Sequence, residues 1–121
     1  MNASALLPKQ QHLDLERFQL LNADLSIFPA VARVFISVLP DWRKEVQRAI
    51  VWSDVQAVCD SLHKMKGSCS MMGAEQLALE IAQVEHALLL SDFDRSTPQV
   101  LNVLRKIGEM EDEVKVFLAN V

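Results

Sequence analysis

The sequence predicts an all-α fold: an up-down antiparallel four-helix bundle with an additional short N-terminal helix. Three observations carry this. Apolar residues recur in steps of three and four along long stretches, the period of a helix with one buried face. Only three glycines and four prolines punctuate 121 residues, too few for the turns of a β-rich domain. Apolar residues make up 50% of the chain, enough to bury one core in a chain of single-domain length.

Residues 1–12 read as a flexible lead-in and 13–121 as one bundle domain. A first helix is expected over about 13–22, with Leu13, Phe18, Leu20 and Leu21 on its apolar side; Asn22 and Asp24 then mark a break. The second runs from about Ile27 to Ile50. Ser26 is placed to cap it, and Pro29 sits in its first turn, where a missing N–H is harmless. Its stripe is Phe28, Val31, Phe35, Val38, Trp42, Val46 and Ala49. Pro40 lies inside this stretch, but the stripe keeps phase across it, which predicts one kinked helix rather than two.

The third helix is expected from about Asp54 to Met72, capped by Ser53, with Val55, Val58, Leu62, Met65, Cys69 and Met72 inward. Gly73 supplies a left-handed stop. The fourth follows at once, from Ala74 to about Leu90, with Leu77, Ile81, Val84 and Leu88 as its seam. So short a link makes helices three and four an antiparallel hairpin. Ser91–Thr97 reads as a polar loop, and Ser96 with Gln99 resembles a capping box ahead of a helix carrying Val100, Val103, Ile107, Met110, Val114, Phe117 and Val121.

The net charge of −4 argues against nucleic-acid binding, which usually needs a basic stripe. Cys59 and Cys69 are ten residues apart. On one helix that is about 15 Å, too far for a disulfide, so both read as core thiols of a reduced, cytoplasmic protein. The N-terminus lacks the pattern of a signal peptide. No run approaches about 18 uninterrupted apolar residues, so neither a span nor direct membrane binding is expected.

The exposed side of the third helix holds the chemistry. His63 follows Leu62, so it lies about 100° from the buried seam. Asp60, Lys66, Gly67 and Ser70 share its face. A helical glycine costs about 1 kcal/mol relative to alanine. Gly67 is off the core stripe, and a physical use for it is empty space beside His63 through which a docking protein could approach. The plain alternatives are a neutral accident or tight contact with another helix. Lys66, one turn from His63, could neutralise phosphoryl oxygens, and Lys64 adds charge nearby; taken singly, each reads as ordinary helix surface.

Taken together these residues say more. The run from Leu62 to Leu77, L-H-K-M-K-G-S-C-S-M-M-G-A-E-Q-L, resembles the signature of histidine-containing phosphotransfer (HPt) domains in His63, Lys66, Gly67, Ser68, Gly73, Ala74 and Leu77. A looser resemblance covers about 13–121, including the Leu13-Asp14 start and the long second helix with its proline. The resemblance implies that His63 accepts a phosphoryl group from a receiver-domain aspartate and passes it to another receiver in a multistep two-component phosphorelay. It implies that Lys66 stabilises phosphoryl charge and Gly67 gives access. The partners implied are response-regulator receivers and a hybrid sensor histidine kinase, with Mg²⁺ supplied by the receiver and no cofactor or metal of the chain's own. No glycine-rich nucleotide box is present, so the chain reads as a monomeric phosphoryl carrier without autonomous kinase activity. The alternative is a helical adaptor that binds a receiver or kinase without carrying phosphate; a weaker one is a structural bundle binding another helix.

Four residues are possible supports: Lys64, Ser70, Gln83 and Glu85. With the hairpin turn near residue 73, residues 83–85 should lie level with His63, so Gln83 or Glu85 could hydrogen-bond and orient the imidazole. His12 falls in the lead-in, and His86 lacks a partner at a ligand offset, so zinc is not expected. The acidic run Glu109–Glu113 reads as a solvated helix face.

Overall fold

The computed structural model describes residues 11–22, 24–90 and 92–121; of the expected lead-in, 1–10 fall outside the described residues. The elements are α1 (Leu15–Asn22), a 3₁₀ turn (Leu25–Ile27), α2 (Phe28–Val51), α3 (Val55–Met71), α4 (Glu75–Leu90) and α5 (Phe93–Ala119). No strand occurs among the described residues. Cross-links between helices fix the topology. Lys64 meets Glu45 between α2 and α3, Glu85 meets His63 between α3 and α4, and Lys106 meets Glu80 between α4 and α5. Phe28 at the start of α2 stacks edge-on with Phe117 near the end of α5, at 4.8 Å between ring centres. Neighbours therefore run antiparallel, as the sequence predicts.

The inward seams of α3, α4 and α5 form the core with few exceptions: Val55 is only half-buried, and Val121 lies past the end of α5 and is exposed. In α2 the stripe is displaced. The buried set is Phe28, Ala32, Phe35, Leu39, Trp42, Val46 and Ala49, while Val31 is half-buried and Val38 exposed. Both stripes alternate by threes and fours through the same anchors, and Val31-Ala32 and Val38-Leu39 are apolar pairs. Only the roll of α2 against α3 and α5 chooses between them. In α1, Leu13, Leu15 and Phe18 are buried, whereas Leu20 and Leu21 face water. Phe18 holds α1 on the bundle end through an edge-on contact with Phe28 at 4.7 Å.

α2 continues unbroken through Pro40. By length and composition Leu25–Val51 would also suit a membrane crossing, although it holds no long uninterrupted apolar run. Its large residues Phe28, Phe35, Leu39 and Trp42 are instead buried against the bundle.

Three helix starts differ from expectation. Asp24, not Ser26, provides the cap before α2: its carboxylate accepts the Ser26 N–H of the 3₁₀ turn, and hydrogen bonding from the Ser26 side chain first, then from that N–H, holds its carboxyl below the usual range. Asp54, not Ser53, caps α3 by accepting the Ala57 N–H at 3.0 Å. Ser53 instead closes α2 in the left-handed conformation, φ 52°, with Asp54 N–H returned to Ala49 O. α5 begins at Phe93, capped by Asp92, so of the expected polar loop 93–97 is helix, with Ser96 buried in it, while Ser91 lies outside the described residues. Phe93 packs on the core, and with the Asp92 cap this outweighs the hydrogen bond forfeited at Pro98.

The α3–α4 turn is closed by Gly73 N–H to Ser70 O and Ala74 N–H to Cys69 O, with Gly73 at φ +86°. A Cβ there would lie 2.5 Å from the Asp14 carbonyl oxygen, so glycine also lets the N-terminal segment press on the turn.

Candidate functional site

His63 stands on the outer face of α3. Leu62 beside it is fully buried, whereas the His63 side chain is 68% exposed. The short 72–74 link sets α4 alongside at a fixed level, which brings Glu85 to the imidazole: Oε2 is 3.3 Å from Nδ1. A carboxylate can only accept, so this contact puts a hydrogen on Nδ1, and in the neutral ring that leaves the lone pair on Nε2. Gln83 is exposed and does not make this contact; of the two residues expected level with His63, Glu85 reaches it.

The same carboxylate faces Lys66. Nζ lies 3.6 Å from Glu85 Oε1, close enough for an ion pair but too far for a hydrogen bond, and that oxygen is buried with no hydrogen-bond partner. The Glu85 side chain is only 18% exposed. Lys66 is therefore drawn towards the imidazole's neighbour without being locked to it, and its ammonium keeps its hydrogen-bonding capacity. Gly67, one turn beyond His63, opens the approach: a Cβ built there meets nothing within 4 Å. Tight helix contact is thus not why a glycine stands at this position.

The remaining sequence candidates lie elsewhere. Lys64 pairs with Glu45 across the α2–α3 boundary at 3.6 Å. Ser70 donates to Glu75 at 3.4 Å near the hairpin turn, away from the imidazole. Asp60 accepts from Gln56. Cys59, one turn before His63, is buried; burial first, then the charges of Glu85 and Asp60, push its thiol up. Burial pushes Cys69 up to about 12. Both are free thiols in the protonated form, unsuited to nucleophilic work.

His12 and the acidic run give a correction. Glu113 accepts the backbone N–H groups of His12 and Leu13, each at 3.0 Å, and Glu109 bonds His12 Nε2 at 3.0 Å. Glu111 pairs with Arg43 of α2 and Lys115. The run is a strip that ties down the N-terminal segment and α2, not a solvated face. Among the described residues no group of His, Cys, Asp or Glu could hold a metal ion.

An exposed histidine with a carboxylate behind it, an ammonium alongside and a vacant approach is the arrangement a phosphoryl carrier needs. A family model described as the Hpt domain matches residues 30–117, from the first turn of α2 to the end of α5's buried stripe. The chain belongs to the HPt domain family. No curated protein and no solved structure matches it. HPt domains are helical bundles that carry phosphoryl groups in phosphorelays rather than acting as kinases, and they interact with receiver domains and histidine kinases. The match spans the whole His63–Glu85–Lys66 cluster. α1, and the segment that Glu109 and Glu113 hold, lie outside it.

Proposed function

We propose that this HPt domain accepts a phosphoryl group on His63 from the aspartyl phosphate of one receiver domain and passes it to the aspartate of a second, within a multistep relay fed by a hybrid sensor kinase. The observation that carries this reading is the exposed imidazole whose Nδ1 is held by Glu85 while Nε2 stays free. In the forward step Nε2 attacks phosphorus. The bond from phosphorus to the receiver's carboxylate oxygen breaks, and that carboxylate leaves with the electron pair. The Nδ1 proton stays in place, and the Glu85 carboxylate offsets the positive charge that develops on the ring. Lys66 turns from Glu85 to the phosphoryl oxygens, and Gly67 leaves the incoming domain room. The reverse sequence delivers the group to the second receiver.

Transfer of this kind is mostly positioning and charge neutralisation, so three side chains and a gap suffice on this partner. Mg²⁺ belongs to the receiver's acidic pocket. The domain works as a monomer in the cytoplasm and takes no phosphate from ATP by itself. Incubation with a ³²P-labelled receiver and Mg²⁺ should place acid-labile, alkali-stable phosphate on the chain, and His63→Gln should abolish it. Undiminished labelling of His63→Gln would remove the assignment.

A further inference from the structure

Gly73 is explained by its left-handed turn and Gly67 by the open space beside His63. Gly108 has neither reason. It stands in the middle of α5 with an ordinary helical backbone, where glycine weakens the helix, and a Cβ built there meets nothing within 4 Å. Nothing inside the molecule asks for a glycine at this position.

Leu101, Leu104, Gly108, Glu111 and Lys115 follow one another in steps of three and four, so they share one flank of α5. Arg43 of α2 pairs with Glu111, so this flank borders α2. The two helices run antiparallel, which sets Gln47 about level with Gly108 and Ile50 about level with Leu104. Leu104 and Ile50 are half-buried and pack on the core. Leu101, 52% exposed, and Val51, 78% exposed, carry this apolar seam out into water at the end where α2 stops.

Charge on this face has the opposite sign from the whole chain. Glu111 is one carboxylate shared by two cations, Arg43 and Lys115. Arg33 and Lys44 are exposed in helical step with Gln47 and Val51, and neither pairs with a carboxylate among the described residues. Arg105 is turned away to Glu109. Four cations thus stand against Glu111 and the exposed Asp112, on a chain of net charge −4.

We infer that the α2–α5 seam is a second docking surface, separate from the reactive face, and that it takes an acidic amphipathic helix of a partner protein. An apolar side chain of that helix enters the space at Gly108, and its carboxylates meet Lys44, Arg43 and Lys115. The groove between two antiparallel helices fits the ridge of a third, and a glycine lets that ridge come close. From Leu101 to Lys115 the seam is about 21 Å long, four helical turns. The surplus of cations selects an acidic ligand and disfavours a basic one. Neighbouring helices pair in the order α2, α3, α4, α5 and back to α2, so this seam lies across the bundle from the α3–α4 face where His63 meets Glu85. A partner seated there leaves the imidazole open, and one protein can hold the chain while another meets His63. The placement does not depend on the phosphorelay reading.

The probe is a fluorescein-labelled helical peptide of about 18 residues, with leucine at every third or fourth position and glutamate on both sides of that stripe. Titration with the full chain, read by anisotropy, should saturate below about 1 mM, and the same peptide with lysine for glutamate should bind at least ~10-fold more weakly. Gly108→Leu fills the space with a better helix former, so its melting temperature should hold or rise while its affinity falls at least ~10-fold. Leu101→Asp and Lys44→Glu change exposed side chains and should also weaken binding; Leu79→Asp, on α4, should not. Amide shifts on adding the peptide should fall on Gln47, Leu101 and Gly108 and spare His63. Wild-type affinity in Gly108→Leu, equal affinity for the two peptides, or shifts centred on His63 each overturn the inference, as does the lack of saturable binding. Co-sedimentation with phosphatidylglycerol vesicles that Lys44→Glu abolishes, without peptide binding, gives the face to an anionic lipid surface and also overturns it.

Discussion

Gly67 and Gly73 lie six residues apart on one segment and do opposite things. At Gly67 the helix is ordinary and a side chain would have room; what its absence protects is space outside the molecule. At Gly73 the backbone is left-handed and the Asp14 carbonyl presses where a Cβ would be; what its absence protects is contact inside the molecule. The contrast separates the two ends of α3. One end is kept open around His63 at some cost in helix stability, and the other is closed as tightly as the chain allows. The sequence reads one as a gap beside His63 and the other as a helix stop; only packing shows the open space at the first and the Asp14 carbonyl pressing on the second.

The most forceful way to break this comparison is Gly73→Ala. Left-handed strain and collision with the Asp14 backbone should together lower unfolding free energy by ~3 kcal/mol, read as a shift in urea midpoint. Equal stability would show that the N-terminal segment does not press on the turn. Gly67 should respond in the opposite sense. Gly67→Leu should keep or raise the melting temperature, because a helical glycine is replaced by a good helix former. It should slow transfer from a receiver by roughly 10-fold or more through misplaced approach. Normal transfer in that variant would remove the access role.

The contact between α2 and α5 carries an electrostatic signature. Hydrogen bonding from Arg43 chiefly, opposed by burial, holds the Glu111 carboxyl below the usual glutamate range. A depressed folded-state value means that this carboxylate adds stability above its unfolded value, near 4.3, and that the contribution is lost as pH falls through the lowered one. Glu111→Gln should therefore cost ~1 kcal/mol at pH 7 and progressively less below about pH 4, in urea titrations of both proteins. A cost independent of pH would mean that the pair acts through packing alone. The smallest effect sharpens the comparison from the α2–α3 turn. Ser53 has the left-handed backbone of Gly73 but bears a side chain. Ser53→Gly should stabilise by about 0.5–1 kcal/mol, isolating backbone strain from the crowding added at Gly73.

Much of the architecture was legible in the residues. The 3-4 recurrence of Val100 to Phe117 and of Leu77 to Leu88 fixed two buried faces correctly, because the first stripe is flanked mostly by polar residues and the second by polar residues and small alanines. The α2 stripe misled at Val31 and Val38, because each has an apolar neighbour and the period is satisfied either way. That same ambiguity leaves Val38 in water, since whichever of two adjacent apolar residues stays outside becomes exposed apolar surface. Helix starts failed where several capping residues crowd together, as at Ser53-Asp54 and Asp92–Ser96. A cap is decided by about 1 kcal/mol, and tertiary contacts of that size, such as Phe93 against the core, move it.

The site divides in the same way. His63, Lys66 and Gly67 share a face of α3 whatever the rest of the chain does, because the rise and turn of a helix are local and constant. Glu85 could be placed level with His63 by counting outward from Gly73, but not chosen over Gln83, and its second contact with Lys66 had no signal in the sequence. The partners of Glu109, Glu111 and Glu113 were equally hidden, since charges on one helix carry no record of what packs beside them. The sequence by itself determined how many helices there are and, in α3, α4 and α5, which residues turn outward. Only the tertiary structure decided which outward residues meet, because that depends on the roll and level of each helix against its neighbours, settled by the packing of the whole core at once.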